Sequence, residues 1–153
     1  KNIVIKSMSG AGSTIISPYN NSVPIVWFTD NETTSAKLIG FTISDGGNVR
    51  GSGIKSEGHS KPIIENCIIT NCSGEAAIAF YYSGATLNNC LIYNNSSSVF
   101  YWDPSDYIPK IINCTITENL SIGLNDKPYK PTYKNCIIYG QTNTGEFGNV
   151  EIT

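Results

Sequence analysis

A short phrase built around Asn-Cys returns four times at nearly constant spacing, and this periodicity restricts the chain more than any other feature of it. The copies are Ile64-Glu65-Asn66-Cys67-Ile68-Ile69-Thr70-Asn71, Leu87-Asn88-Asn89-Cys90-Leu91-Ile92-Tyr93-Asn94, Ile111-Ile112-Asn113-Cys114-Thr115-Ile116-Thr117-Glu118 and Tyr133-Lys134-Asn135-Cys136-Ile137-Ile138-Tyr139-Gly140. Their cysteines are 23, 24 and 22 residues apart. Leu38-Ile39-Gly40-Phe41-Thr42-Ile43-Ser44-Asp45 is a fifth copy with Phe41 in the cysteine place. Self-similarity at a fixed period of this length is the mark of a stacked repeat, in which each unit buries its apolar face against its neighbours.

Within each copy, side chains alternate on either side of an Asn, as two short strands separated by a bend require. Three inward rows follow: Ile64, Leu87, Ile111 and Tyr133; Cys67, Cys90, Cys114 and Cys136; and Ile69, Ile92, Ile116 and Ile138. Asn66, Asn89, Asn113 and Asn135 fall at the bend, where Asn tolerates the left-handed region and its amide bonds nearby backbone. A further strand about ten residues before each copy supplies a fourth row of Ile54, Ile78, Phe100 and Leu124, which Pro24-Ile25-Val26-Trp27-Phe28 begins one coil earlier. No window holds a 3.6-residue period, so essentially no α-helix is expected. The reading is an all-β, single-domain solenoid over residues 1–153, of about six coils of 22–27 residues.

Composition narrows the function classes. Charged residues make up 14% of the chain, the net charge is −2, and the Lys and Arg residues are scattered. A nucleic-acid footprint is therefore absent. Apolar runs such as Ile25-Val26-Trp27-Phe28 stop at four residues, so no membrane insertion is expected. Abundant Asn, Ser, Thr and Gly suit an extracellular or cell-surface repeat protein. The chain opens directly on the strand-like Lys1-Asn2-Ile3-Val4-Ile5, and Gly148-Asn149-Val150-Glu151-Ile152-Thr153 reads as the start of another strand. It is expected to be a fragment of a longer chain with both ends uncapped, and uncapped strand edges favour end-to-end self-association.

The Asn-Cys-Ile-Ile-x-Asn phrase, together with the opening Lys1-Asn2-Ile3-Val4-Ile5-Lys6-Ser7 and Ser13-Thr14-Ile15-Ile16, resembles the right-handed parallel β-helix repeat of the pectate-lyase-like superfamily. It looks especially like large secreted or surface-attached bacterial β-helix proteins. That superfamily holds lyases, hydrolases, epimerases, adhesins and passive stalks, so the resemblance implies the fold and leaves the activity open. In members that cut polysaccharides, substrate lies along the outside of the strand row that here contains Ile54, Ile78 and Phe100. Outward residues there are Lys55, Ala79, Tyr81, Val99, Tyr101 and Asp103, with Trp27 earlier. Of these, Trp27, Lys55, Tyr81, Tyr101 and Asp103 are the carbohydrate-binding candidates, because aromatic faces stack on the apolar faces of sugar rings.

A β-eliminating lyase needs a base and a means of neutralising the uronate carboxylate. Arg50, Lys55, Glu57 and His59 are the weak catalytic candidates, and their ordinary fate is that of solvated loop residues. An inverting hydrolase needs paired carboxylates, for which Asp103 and Asp106 are the nearest pair, and the acidic signatures that the resemblance would bring are missing. No metal site is expected, because Cys67 and Cys72 lack knuckle spacing. The cysteines read as mostly free, buried thiols that pack as small hydrophobes, with Cys72 near a turn as the candidate reactive one. Another outward face carries Ile68, Leu91, Ile137, Tyr93 and Tyr139, apolar enough to contact a neighbour. The expected function is that of an extracellular non-catalytic module, a structural spacer or adhesin-like domain with a glycan as candidate partner and no cofactor. The alternative is a polysaccharide lyase fragment acting on acidic polysaccharide.

Overall fold

The computed structural model describes residues 2–103, 106–123 and 131–142. Short strands follow one another around a parallel solenoid. The first turn holds β1 (Val4–Lys6), β2 (Ile15–Ile16) and β3 (Val26–Phe28), and the second β4 (Lys37–Ile39), β5 (Thr42–Ser44) and β6 (Arg50–Glu57). The third holds β7 (Ile63–Glu65), β8 (Ile68–Thr70) and β9 (Ala76–Tyr81), and the fourth β10 (Thr86–Asn88), β11 (Leu91–Tyr93) and β12 (Ser98–Trp102). Then come β13 (Lys110–Ile112) and β14 (Thr115–Thr117), and last β15 (Thr132–Lys134) and β16 (Ile137–Tyr139). The described residues thus wind through about five turns rather than six, with no helix among them. Corresponding strands form three parallel sheets, in the orders β1-β4-β7-β10-β13-β15, β2-β5-β8-β11-β14-β16 and β3-β6-β9-β12.

The repeat phrase sets the register. Leu38, Ile64, Leu87, Ile111 and Tyr133 face one another along the first sheet, and Ile43, Ile69, Ile92, Ile116 and Ile138 along the second. These columns, with Ile54, Ile78, Phe80, Phe100 and Trp102 from the third sheet, form one continuous core. Each fully buried Ile or Leu contributes about 1.5–3 kcal/mol relative to an exposed one, so the columns dominate the favourable side. Leu124 and the strand expected at 148–153 lie outside the described residues. Ile122, buried, is the described residue that packs against the core there.

Left-handed residues make the corners. Asn66, Asn89, Asn113 and Asn135 sit at φ 53, 53, 53 and 52°, with Gly40 at the same place in the second turn at φ 77°. Asn is one of the few side-chain-bearing residues that visit this region routinely. Their exposed amides pass hydrogen bonds between coils: Asn89 Nδ2 donates to Asn66 Oδ1 at 2.5 Å and Asn135 Nδ2 to Asn113 Oδ1 at 3.3 Å. Between those pairs the ladder slips, and Asn113 Nδ2 donates to Asn88 Oδ1 at 3.3 Å. Cys67, Cys90 and Cys114 lie just inside this corner, buried, with Cys136 half-buried. All are free thiols that face backbone carbonyls, for example Cys67 Sγ to Glu65 O at 3.3 Å and Cys114 Sγ to Ile112 O at 3.2 Å.

The next corner carries a second, buried polar column. Asn71, Asn94, Glu118 and Gly140 take φ 55, 53, 54 and 66°, and the residue after each points inward: Cys72, Asn95, Asn119 and Gln141. The Cys72 amide donates to Asn95 Oδ1 (2.9 Å), the Asn95 amide to Asn119 Oδ1 (3.1 Å) and the Asn119 amide to Gln141 Oε1 (3.1 Å). The Asn119 side-chain Nδ2 donates to Ile92 O at 3.0 Å and to Thr117 O at 2.8 Å. Cys72, expected as the reactive thiol, is fully buried in this column, and burial pushes its pKa up. Thiolate chemistry is therefore suppressed there.

Two outcomes follow. Asn119→Ala strips several buried backbone groups of their partners and is expected to cost about 3 kcal/mol in urea denaturation, whereas Asn113→Gly, which keeps the left-handed corner, is expected to cost under about 1 kcal/mol. With a thiol-specific disulfide reagent, Cys136 is expected to react first and the other four only on unfolding, each at the rate of global opening.

Candidate functional site

The third sheet turns its outer face to solvent between two bends. Trp27, Lys55, Ala79 and Tyr101 occupy one register row across β3, β6, β9 and β12, and Glu57 and Tyr81 pair in the next outward row. Alternation fails near the start of these strands, where the coil turns a corner. Val99, expected outward, is buried in the core beside Phe100, just as Ala77 is beside Ile78.

Ala79 also departs from expectation: it lies on the outer row yet is buried. The cause is a bulge in β6 between Arg50 and Ile54. Gly51 adopts φ 74° there, and a Cβ on it would stand 2.7 Å from the Ala79 Cβ. Only glycine permits that approach in that conformation. The bulged backbone covers Ala79 and carries the Arg50 guanidinium over the Tyr101 ring, 4.2 Å from its centroid.

Each cation of this face is matched by a carboxylate. Arg50 Nε donates to Glu75 Oε2 at 2.5 Å, and a terminal guanidinium nitrogen pairs with the same oxygen. Lys55 Nζ lies 2.7 Å from Glu57 Oε2 and sits over the rings of Trp27 (4.8 Å) and Tyr81 (5.0 Å). Glu57 Oε1 in turn accepts from Trp27 Nε1 at 2.8 Å and from Thr29 Oγ1 at 3.3 Å. Tyr101 donates its hydroxyl to Asp103 Oδ1 at 2.9 Å and packs 5.2 Å from Tyr81. Carbohydrate-binding candidates Trp27, Lys55, Tyr81, Tyr101 and Asp103 therefore form one strip. Within it, own-chain cations lie over the rings of Trp27, Tyr81 and Tyr101; the two tyrosines are half-buried, whereas Trp27 is 48% exposed.

The catalytic candidates are not brought together as a group of four. Arg50, Lys55 and Glu57 share the strip, but His59 packs on Tyr107 with ring centroids 5.1 Å apart, and Lys61 lies over that same Tyr107 ring at 4.9 Å. Interaction with the Tyr81 hydroxyl, set against partial desolvation and reinforced by Glu75, drives the Arg50 pKa up. An arginine that holds its proton more firmly is a poorer base. Partial burial alone would raise the Glu57 carboxyl; hydrogen bonding and charge from Lys55, with the Trp27 and Thr29 donors, hold it below the usual carboxylate range. Sequence reasoning missed Glu75, the counter-ion of Arg50. Its only signal is that Arg50 falls one coil before it, at the residue next to Ala76.

At the first-turn end of the coil the inward-facing Ile5, Val26, Phe28 and Leu38, with Ile3, Trp27, Glu32 and Lys37, line a cavity of about 200 Å³ that belongs to the interior rather than to the outer strip. Among the described residues no group of three or more His, Cys, Asp or Glu side chains is placed to hold a metal ion.

A family model described as "right handed beta helix region" matches residues 4–149. No curated protein and no solved structure matches the chain.

The Glu57 geometry has a pH signature. Its folded pKa is depressed, so its contribution is fully present above the unfolded value of about 4.5 and is lost as pH falls through the lower folded value. Thermal melts between about pH 6 and pH 3 are expected to show wild type losing more stability than Glu57→Gln over the acid end of that window. Equal losses would mean that the Glu57 contacts are not made in solution.

Proposed function

The chain belongs to the right-handed β-helix family, and on that premise we propose that it is an extracellular non-catalytic module, a rigid spacer or adhesin-like element. In this reading it holds a glycan along the outer face of the third sheet, with Trp27 as the stacking platform. The observation that carries the proposal is Trp27 itself: a half-exposed indole on a sheet face, pinned by its hydrogen bond to Glu57 and by the Lys55 ammonium over its ring. A large aromatic held rigid in solvent loses little conformational freedom when it binds, which favours recognition.

Two further features support a module over an enzyme. Arg50 and Lys55, the basic groups of the strip, are each engaged by a carboxylate, so neither is poised to take a proton. Continuous apolar columns join successive turns and the two corner ladders link them from the third turn on, a construction suited to holding distance along one axis. The Asn-, Ser-, Thr- and Gly-rich composition supports the extracellular setting.

A glycan-array screen run beside an absorbance assay for unsaturated uronates tests the proposal. Binding without a rise in absorbance, weakened at least tenfold in Trp27→Ala, is the expected result. Turnover of an acidic polysaccharide that disappears in Lys55→Ala would overturn it in favour of a lyase.

A further inference from the structure

The outer strip of the third sheet differs from an anion-binding groove in how its charges are disposed. Its cations are Arg50 and Lys55; its carboxylates are Glu57, Glu75 and Asp103. Each cation is already satisfied: the guanidinium by Glu75 with Tyr101 beneath it, the ammonium by Glu57 between the rings of Trp27 and Tyr81. A carboxylate or sulfate brought onto the strip would have to displace Glu57 or Glu75 from its partner. It would also meet a surface on which acidic groups outnumber basic ones. The alternative device for holding a uronate, a bridging cation, needs a convergent set of oxygen ligands, and no such group is gathered among the described residues.

Trp27 is the most exposed ring of the strip, 48% exposed against the half-buried Tyr81 and Tyr101. The chemistry on offer is therefore a ring face and carboxylate oxygens that accept hydrogen bonds. That set matches a molecule with apolar C–H faces and several hydroxyl donors.

We infer that the ligand class of this face is an uncharged glycan, bound by stacking on Trp27 and by hydroxyl groups donating to carboxylates of the strip, and that acidic polysaccharides are excluded by charge. The inference rests on the glycan-binding reading above and specifies it. Glu57 is a positioning residue here: it fixes the indole through Nε1 and holds the Lys55 ammonium in place.

Calorimetric titration of the full chain with two series of oligosaccharides, one neutral (β-linked glucose, xylose and mannose oligomers) and one of uronates, separates the outcomes. The expected result is binding of a neutral series, changed less than about twofold between about 50 and 500 mM salt because no ion pair is formed, and weakened at least tenfold in Trp27→Ala. Glu57→Gln is expected to weaken neutral binding several-fold and to let a uronate series bind with steep salt dependence, because it frees the Lys55 charge. Circular dichroism of both variants checks that they remain folded. Uronate binding by wild type that falls steeply with salt would overturn the neutral assignment while leaving the glycan reading intact. Absence of binding to both series would overturn both.

Discussion

Parallel, in-register hydrogen bonding between successive turns is the constraint from which the remaining structure follows. A coil of this kind cannot bury its own apolar residues; it does so only when the next coil presents the same residue type at the same place. Ile64 over Leu38 and Ile116 over Ile92 are such placements, and a shift of one residue would turn each column outward. The corners must therefore recur at the same position in every turn. Left-handed Asn66, Asn89, Asn113 and Asn135 at one corner, and Asn71 and Asn94 at the next, hold that position, with Gly40 and Gly140 serving where the side chain is absent.

The buried column of Cys72, Asn95, Asn119 and Gln141 shows how a polar interior is kept without penalty. Each amide side chain accepts from the backbone N–H of the preceding turn and donates to a backbone carbonyl of that turn. An unsatisfied group here would cost about 1–3 kcal/mol. A satisfied column adds register information that the aliphatic columns lack, because it is complete in one alignment alone. Corner and core therefore specify the same stacking.

How much of this was legible depended on whether one residue type repeats. The Asn66-Cys67 corner could be read because the pair returns unchanged, and the Ile69 column because its branched residues alternate cleanly. The second corner was hidden although its spacing is the same, since its inward position is filled in turn by Cys, Asn, Asn and Gln. Val99 was misplaced, and the burial of Ala79 on its outer row missed, for another reason: alternation describes a strand in mid-sheet, not one entering through a corner or lying beneath a bulge at Gly51. Of the candidate face, the outward set of Trp27, Lys55, Tyr81 and Tyr101 was legible from strand alternation. The pairing of Arg50 with Glu75, and the separation of His59 toward Tyr107, depend on loop geometry that spacing does not encode.

The central claim is that successive turns are locked in one register by the second-corner column, and native-state hydrogen exchange resolved by residue measures it directly. The amides of Cys72, Asn95 and Asn119, each donated to a side-chain oxygen of the following turn, are predicted to exchange only through global unfolding, at the free energy found for the buried strands. Exchange of these three amides as fast as that of exposed corner residues such as Asn94 would contradict the account.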